Sequence, residues 1–130
     1  IEIISKEGIE NNVHFSDNEM DIMNFLPACD ILVSSSHFES LPNIICEAMA
    51  CSIPCVVTDV GDCKLIVGKH GIVVNPNNYD ELAKGIIKMI DLRSEKRKEI
   101  GYNSRLRIKN NFNLDLMIKK YDNIYKEMKI

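Results

Sequence analysis

The chain has 130 residues, 45% of them hydrophobic and 27% charged, with a formal net charge of −3 at pH 7. That is enough chain for one domain with a real core, and the composition excludes disordered and fibrous classes. No apolar run approaches the ~20 residues needed to cross a bilayer, and the N-terminus lacks the basic and apolar regions of a signal peptide, so the expected compartment is the cytoplasm.

In chain order, residues 1–10 read as a helix end stopped at Gly8, with Ile1, Ile4 and Ile9 apolar. A chain that opens on Ile1 inside a helix tail is expected to continue upstream. Residues 12–15 predict a short strand. Ser16 with Glu19 three residues on forms a capping box for a helix carrying Met20, Met23, Phe25 and Leu26, which ends near Pro27. The apolar run Asp30-Ile31-Leu32-Val33 then stops at three serines, and a helical pattern opens at about Pro42: strand, loop, helix. Proline is favoured at the first helical position because the amide it lacks has no intrahelical partner there. The remaining first-turn amides and the helix dipole make a seat for an anion. Glu39 on the loop and Glu47 in the helix flank that seat. A carboxylate accepts hydrogen bonds and donates none, so the pair suits hydroxyl groups rather than a phosphate.

Residues 54–58 are an apolar β-rich run, as in a parallel strand buried on both faces. A turn at 59–62, a short helical piece at 64–67 and a strand at 71–74 follow, and Asn75-Pro76-Asn77-Asn78 breaks the last of these. Asp80 opens a helix with Leu82, Ile86, Met89 and Ile90 inward. Ser94 opens a second that runs towards Asn111, with Gly101 as a weak point. Asn113 caps a third, whose Leu114, Met117, Ile118, Tyr121, Ile124, Tyr125 and Met128 keep helical spacing. That stripe packs either on the domain's own sheet or on a part outside these residues.

Asp30-Ile31-Leu32-Val33-Ser34-Ser35, Glu39-Ser40-Leu41-Pro42-Asn43, Glu47-Ala48-Met49-Ala50, Pro54-Cys55-Val56-Val57-Thr58 and Gly71-Ile72-Val73-Val74 together resemble the C-terminal half of retaining glycosyltransferases of the GT-B fold, family 4, and the glutamate pair resembles that family's Glu-x7-Glu signature. The resemblance implies an α/β fold: a Rossmann-like, doubly wound parallel sheet closed by C-terminal helices. It aligns only the last four of the family's six strands, in the order 3-2-1-4-5-6, and leaves out two central ones. Residues 1–130 are thus expected to be a partial nucleotide-sugar-binding domain, with an α/β part at 1–91 and closing helices at 92–130; the N-terminal acceptor-binding domain lies outside them. A sheet without its middle exposes edges and apolar faces, so poor solubility in isolation is expected.

The implied reaction transfers a sugar from a nucleoside diphosphate sugar to an acceptor with retention of configuration. Glu39 would face the transferred sugar, Ser40, Leu41, Pro42 and Asn43 would lie over the diphosphate, and Glu47 would hold the ribose. No metal and no cofactor beyond the donor is implied, because a basic pair from the absent strand and helix meets the phosphate charge. Three features depart from the family pattern. Ser40 is the small residue before Leu41. Gly61-Asp62-Cys63-Lys64-Leu65 stands where many relatives carry a further acidic residue after the turn that follows Thr58, so that contact is not carried over. Cys51-Ser52-Ile53-Pro54 replaces the commoner glycine before proline, which predicts a strained or shifted turn at Ser52. Two other classes stay open: a non-catalytic nucleotide-sugar-binding module or partner subunit, and a sugar-nucleotide epimerase-like enzyme.

Charge is uneven: residues 1–91 hold 5 Lys and Arg against 14 Asp and Glu, and residues 92–130 hold 11 against 5. The basic tail, with Arg93, Lys96, Arg97, Arg105, Arg107, Lys109, Lys119 and Lys120, is either a solvated helix face or a peripheral contact with anionic lipid at the inner membrane face. Nucleic-acid binding is not expected, since the basic residues lack interleaved aromatics. The five cysteines form no Cys-x2-Cys pair and are expected to be buried, reduced and inert, and the three histidines lack zinc-site spacing. Ser36 and His37 read as loop filler.

Overall fold

A computed structural model of the chain describes residues 2–16 and 22–128. Its centre is a parallel sheet of β1 (Leu32–Ser34), β2 (Cys55–Thr58) and β3 (Ile72–Val74) in that order, with Val33 opposite Val56 and Val57 opposite Val73. Side chains alternate across a strand, and both faces are covered. Cys55 and Val57 join the core cluster with Ile45 and Met49 of α3 (Asn43–Ala50) and Ile66 and Val67 of α4 (Cys63–Val67). On the other face Val56, Ile72 and Val74 meet Gly85 of α5 (Tyr79–Ile90). All four residues of β2 are buried, as the unbroken apolar run predicts. Burying a side chain such as Ile45 or Met49 contributes roughly 1.5–3 kcal/mol each. The expected Rossmann-like α/β layering is present.

The N-terminal reading holds in part. α1 (Glu2–Glu7) ends at Gly8, whose φ is +65°. The strand expected at 12–15 is not one. A 3-10 turn covers Glu10–Asn12, and Val13 keeps an extended backbone with φ −119° and ψ 121°. A strand needs a hydrogen-bonded neighbour, and none pairs with this segment among the described residues. The capping box of Ser16 and Glu19, with Met20, falls partly outside the described residues. Its helix is seen as α2 (Ile22–Phe25), continued by a 3-10 turn over Leu26–Ala28. The outer side of β1 is unpaired within the described residues, and Val33 there is 40% exposed.

α3 ends in a turn that ties it to α6 (Ser94–Asn111). The amide of Ile53 bonds to Ala48 O and that of Ser52 to Met49 O, the Schellman pattern, with Ser52 in the left-handed position at φ +65°. The strained turn expected there is therefore present. Gly101, expected to be a weak point, is instead a buried contact: a Cβ on it would lie 1.9 Å from Ser52 O. α5 opens at Asn78 rather than Asp80; Asn78 Oδ1 accepts from the Glu81 amide at 3.0 Å. Of its four predicted inward residues, Leu82, Ile86 and Met89 turn in and Ile90 does not, being 55% exposed.

α7 (Leu114–Glu127) opens at Asn113, whose side chain accepts from the Leu116 amide as expected. Its apolar stripe does not pack on the sheet. Leu114, Met117, Ile118, Tyr121, Ile124 and Tyr125 are all 48–64% exposed, and no residue of α7 is buried. Of the two readings of that stripe, packing on the chain's own sheet is excluded.

Candidate functional site

The loop between β1 and α3 is built from its anchors. Thr58, at the carboxyl end of β2, donates its hydroxyl to Ser36 O at 2.7 Å and lies 3.5 Å from Ser34 O. Ser36 Oγ in turn donates to Glu39 Oε1 at 2.8 Å. Behind the loop, Gly61 at φ +50° comes so close that a Cβ would meet Glu39 O at 2.3 Å and Ser40 O at 2.7 Å, and the Asp62 amide donates to Ser40 O at 3.0 Å. The loop backbone is thereby held on two sides, and the exposed Glu39 carboxylate is aimed by a hydroxyl that is itself fixed. Its charge is felt at the buried Cys63 thiol, which is pushed up by burial first, with Glu39 and Asp59 adding to the effect.

Pro42 is the residue before α3, not its first helical residue: its φ is −75° and ψ 103°, and its carbonyl accepts from Ile45 N at 3.2 Å. Asn43 takes the first position, so its amide, followed by that of Ile44, lies at the positive end of the helix. Nothing caps this end with a side chain. Glu47 is half-buried one turn further on, about 6 Å along the axis and on the same face as Asn43. Leu41, Asn43 and Cys46 form one wall of a cleft of about 420 Å³, and Phe112, Leu116 and Met117, where α6 turns into α7, form the other. Glu39, Ser40, Pro42 and Glu47 do not line it. The structure therefore keeps the predicted residues on one loop-helix unit but places only Leu41 and Asn43 in this cleft.

Sequence reasoning missed the anchors. Ser36, read as filler, orients Glu39; Thr58 was read only as the last residue of the apolar run 54–58. After β3, Glu81 accepts from Asn75 N at 3.0 Å, Asn75 Nδ2 at 3.1 Å and Asn78 Nδ2 at 3.0 Å. These bonds, the backbone one first, hold its carboxyl below the usual range. The signal was the Asn78-x-x-Glu81 spacing of a capping box.

All five cysteines are free; Cys55 and Cys63 are buried as expected, whereas Cys29, Cys46 and Cys51 are only half-buried. Burial pushes the Cys55 thiol up to about 12, with Cys46 adding to it. No group of three or more His, Cys, Asp or Glu among the described residues could hold a metal ion, and no helix among them is long and apolar enough to cross a membrane.

Three arginines of the basic tail have structural partners. Arg105 donates to Ala50 O at the end of α3 at 2.6 Å, and Arg107 to Ile66 O at 2.7 Å and Leu65 O at 2.6 Å in α4. Arg97 donates to Ile90 O, at the end of α5, at 2.8 Å and to Leu92 O just beyond it. Cations at helix carboxyl ends are favoured by both hydrogen bonding and the dipole.

Known proteins match this arrangement. The chain is 28% identical over 116 residues to the capsular polysaccharide biosynthesis glycosyltransferase CapM of Staphylococcus aureus, covering 88% of this chain and 30% of the relative. It is 27% identical over 110 residues to the UDP-Gal:alpha-D-GlcNAc-diphosphoundecaprenol alpha-1,3-galactosyltransferase of Escherichia coli, covering 83% and 28%. The crystal structure of Anabaena HepE in complex with UDP-glucose superposes with a TM-score of 0.84 at 26% identity, over 97% of this chain and 35% of that one. The chain thus spans about a third of the length of the relatives it matches. With the family model of the glycosyl transferases group 1 matching residues 1–107 and the parallel α/β layers of GT-B structures around its loop and helix, this chain belongs to that family.

Proposed function

We propose that the chain is part of the donor-binding half of a glycosyltransferase that moves a sugar from a nucleoside diphosphate sugar to an acceptor with retention of configuration. The observation that carries the reading is the superposition of nearly the whole chain on HepE, solved with UDP-glucose and with UDP. The loop-helix geometry supports it. Departure of the nucleoside diphosphate places charge on the phosphate, and preorganised donors aimed there lower the barrier. The amides of Asn43 and Ile44 can act so, with Ser40, Leu41 and Pro42 shaping the approach. Glu39, oriented by Ser36, faces the transferred sugar, and Glu47, one turn along, holds the ribose hydroxyls. Two carboxylates beside the seat oppose an anion. A basic pair and an N-terminal acceptor-binding domain from outside these 130 residues complete the site in this reading, and neither a metal nor another cofactor is called for.

Thermal shifts with UDP, ADP and GDP on the full-length protein test it. A nucleotide at about 100 times its Kd adds roughly 2.7 kcal/mol to native stability. At least one is expected to raise the melting temperature, and no shift with any of them overturns the donor reading. The 130-residue chain alone is expected to show no sugar transfer; detectable transfer by it would refute the assignment as a partial domain.

A peripheral contact with anionic lipid is part of the same reading, on the inner membrane face of the cytoplasm. Because Arg97, Arg105 and Arg107 hold helix ends, the lysines carry it. Changing Lys109, Lys119 and Lys120 to Glu should weaken binding to vesicles of anionic lipid by roughly 1 kcal/mol per charge without unfolding the protein. Vesicle binding that survives the triple change, or that ignores salt, excludes the contact.

A further inference from the structure

We propose that a second pocket, at the carboxyl ends of the three strands, binds a neutral sugar ring of the acceptor, with Tyr79 as its flat wall and His37 and Asn77 as its hydroxyl partners. The inference rests on the transfer reading above and adds a subsite to it. The pocket is about 200 Å³, large enough for one ring, and is lined by Ser35, His37, Thr58, Asn77, Tyr79 and Leu82 among others. It shares no residue with the cleft beside α3. Ser35 directly follows β1, Thr58 ends β2, and Asn77 and Tyr79 follow β3. This is the end of an open parallel sheet at which ligands bind.

Both walls are fixed before any ligand arrives. The Thr58 hydroxyl bond to Ser36 O holds the first. The second is the turn at 75–78, which the Glu81 carboxylate gathers through Asn75 and Asn78. Within it Asn77 follows Pro76 and sits at φ +59°, the pattern of a type II turn. A preorganised wall costs little ordering on binding.

The chemistry of the lining selects the ligand class. None of the pocket's residues is Asp, Glu, Lys or Arg, so neither a phosphate nor a cation finds a counter-charge. Hydroxyl, amide and imidazole groups both donate and accept, which matches the hydroxyls at a sugar's rim. Tyr79, 77% exposed, and Leu82 offer the apolar surface that the faces of the ring need. His37 is two residues from Glu39, so their Cα atoms are at most about 7 Å apart. Glu39 does not line the pocket itself, but a ring held here is seated against the same loop that carries the carboxylate assigned to the transferred sugar, on the side from which an acceptor hydroxyl would reach it.

The test uses the full-length protein and the methyl glycosides of glucose, galactose and N-acetylglucosamine as surrogate acceptors. Saturation-transfer NMR is run with and without UDP, and UDP affinity is measured separately by calorimetry. At least one glycoside should bind the wild type. Tyr79→Ala should weaken it roughly tenfold, Tyr79→Phe should retain it, and His37→Ala should weaken it, all with UDP affinity unchanged. No glycoside binding to the wild type, or binding undiminished in both Tyr79→Ala and His37→Ala, overturns the proposal. Absence of binding by UDP, ADP and GDP alike in the wild type overturns the donor reading instead, and the arm without nucleotide still decides this one.

Discussion

Replacing Gly101 by alanine is expected to destabilise the fold by about 3 kcal/mol, the upper part of the range for overpacked cores, and to lower the melting temperature by roughly 10 °C. The added Cβ would lie 1.9 Å from Ser52 O and 2.8 Å from Ser52 C. Both are backbone atoms, so no side chain can swing aside. The Ser52 carbonyl cannot retreat either, because the adjoining amides are committed to Met49 O and Ala48 O. Relief must come from moving α6 off α3, a contact that also carries Arg105 on Ala50 O, and from disturbing the Ser104 hydroxyl bond that ties α6 to His70 O ahead of β3. Ser52→Gly provides the contrast. It removes a side chain from the left-handed region and should stabilise by about 1 kcal/mol. Urea denaturation of both variants checks the pair. A Gly101→Ala protein of wild-type stability would show that the two helices do not meet as closely as described.

The same contact shows what the sequence made legible and what it did not. The unit from β1 through the loop and α3 to β2 could be read from local signals, since an apolar run, a serine stop, a proline and a second apolar run each act over a few residues. The left-handed turn at Ser52 was legible for the same reason: a helix end followed shortly by proline needs a C-cap, and serine stands where glycine is usual. Gly101 was misread because helix propensity counts only its weakness within α6, whereas its use lies 49 positions away at Ser52. The strand at Val13 failed differently. Its alternation was genuine, but pairing is a property of two segments, and no partner adjoins it among the described residues.

The basic tail has a further role that was not legible, for a physical reason too. Counting charges treats arginines as equivalent, yet a guanidinium carries five donors in a rigid fork and can satisfy two carbonyls at once. Arg107 does so on α4, with its guanidinium 5.7 Å from the centre of the Phe112 ring. α6 therefore closes the domain by collecting the free carbonyls of three other helices, work that composition registers only as positive charge. At the candidate site the glutamates were visible as a spaced pair, but the groups that aim one of them, Ser36 and Thr58, belong to a hydrogen-bond chain with no sequence period. The exposed face of α7 has the opposite character: its period was plain, and no residue of it is buried among the described residues.

Glu39 and Glu47 are expected to separate by their kinetic signatures in the full-length protein, on the transfer reading proposed above. If Glu47 holds the ribose, that contact is equal in the ground and transition states, so Glu47→Gln should raise the donor KM, weaken binding of the free nucleoside diphosphate and leave kcat nearly unchanged. If Glu39 faces the sugar that is leaving, it lies where positive character develops at the anomeric carbon as the bond to phosphate lengthens. A contact that strengthens in that transition state appears in kcat. Glu39→Gln should therefore lower kcat by on the order of 10²-fold and keep nucleotide affinity. The 2.8 Å bond from Ser36 Oγ to Glu39 Oε1 adds a third variant. Ser36→Ala leaves the carboxylate in place but removes the hydroxyl that aims it, so it should reduce kcat less than Glu39→Gln does, again with unchanged nucleotide affinity. Steady-state kinetics with calorimetry on the three variants decides the matter. Full turnover in Glu39→Gln, or equal loss of nucleotide binding in the two glutamate variants, would show that the roles are assigned to the wrong residues.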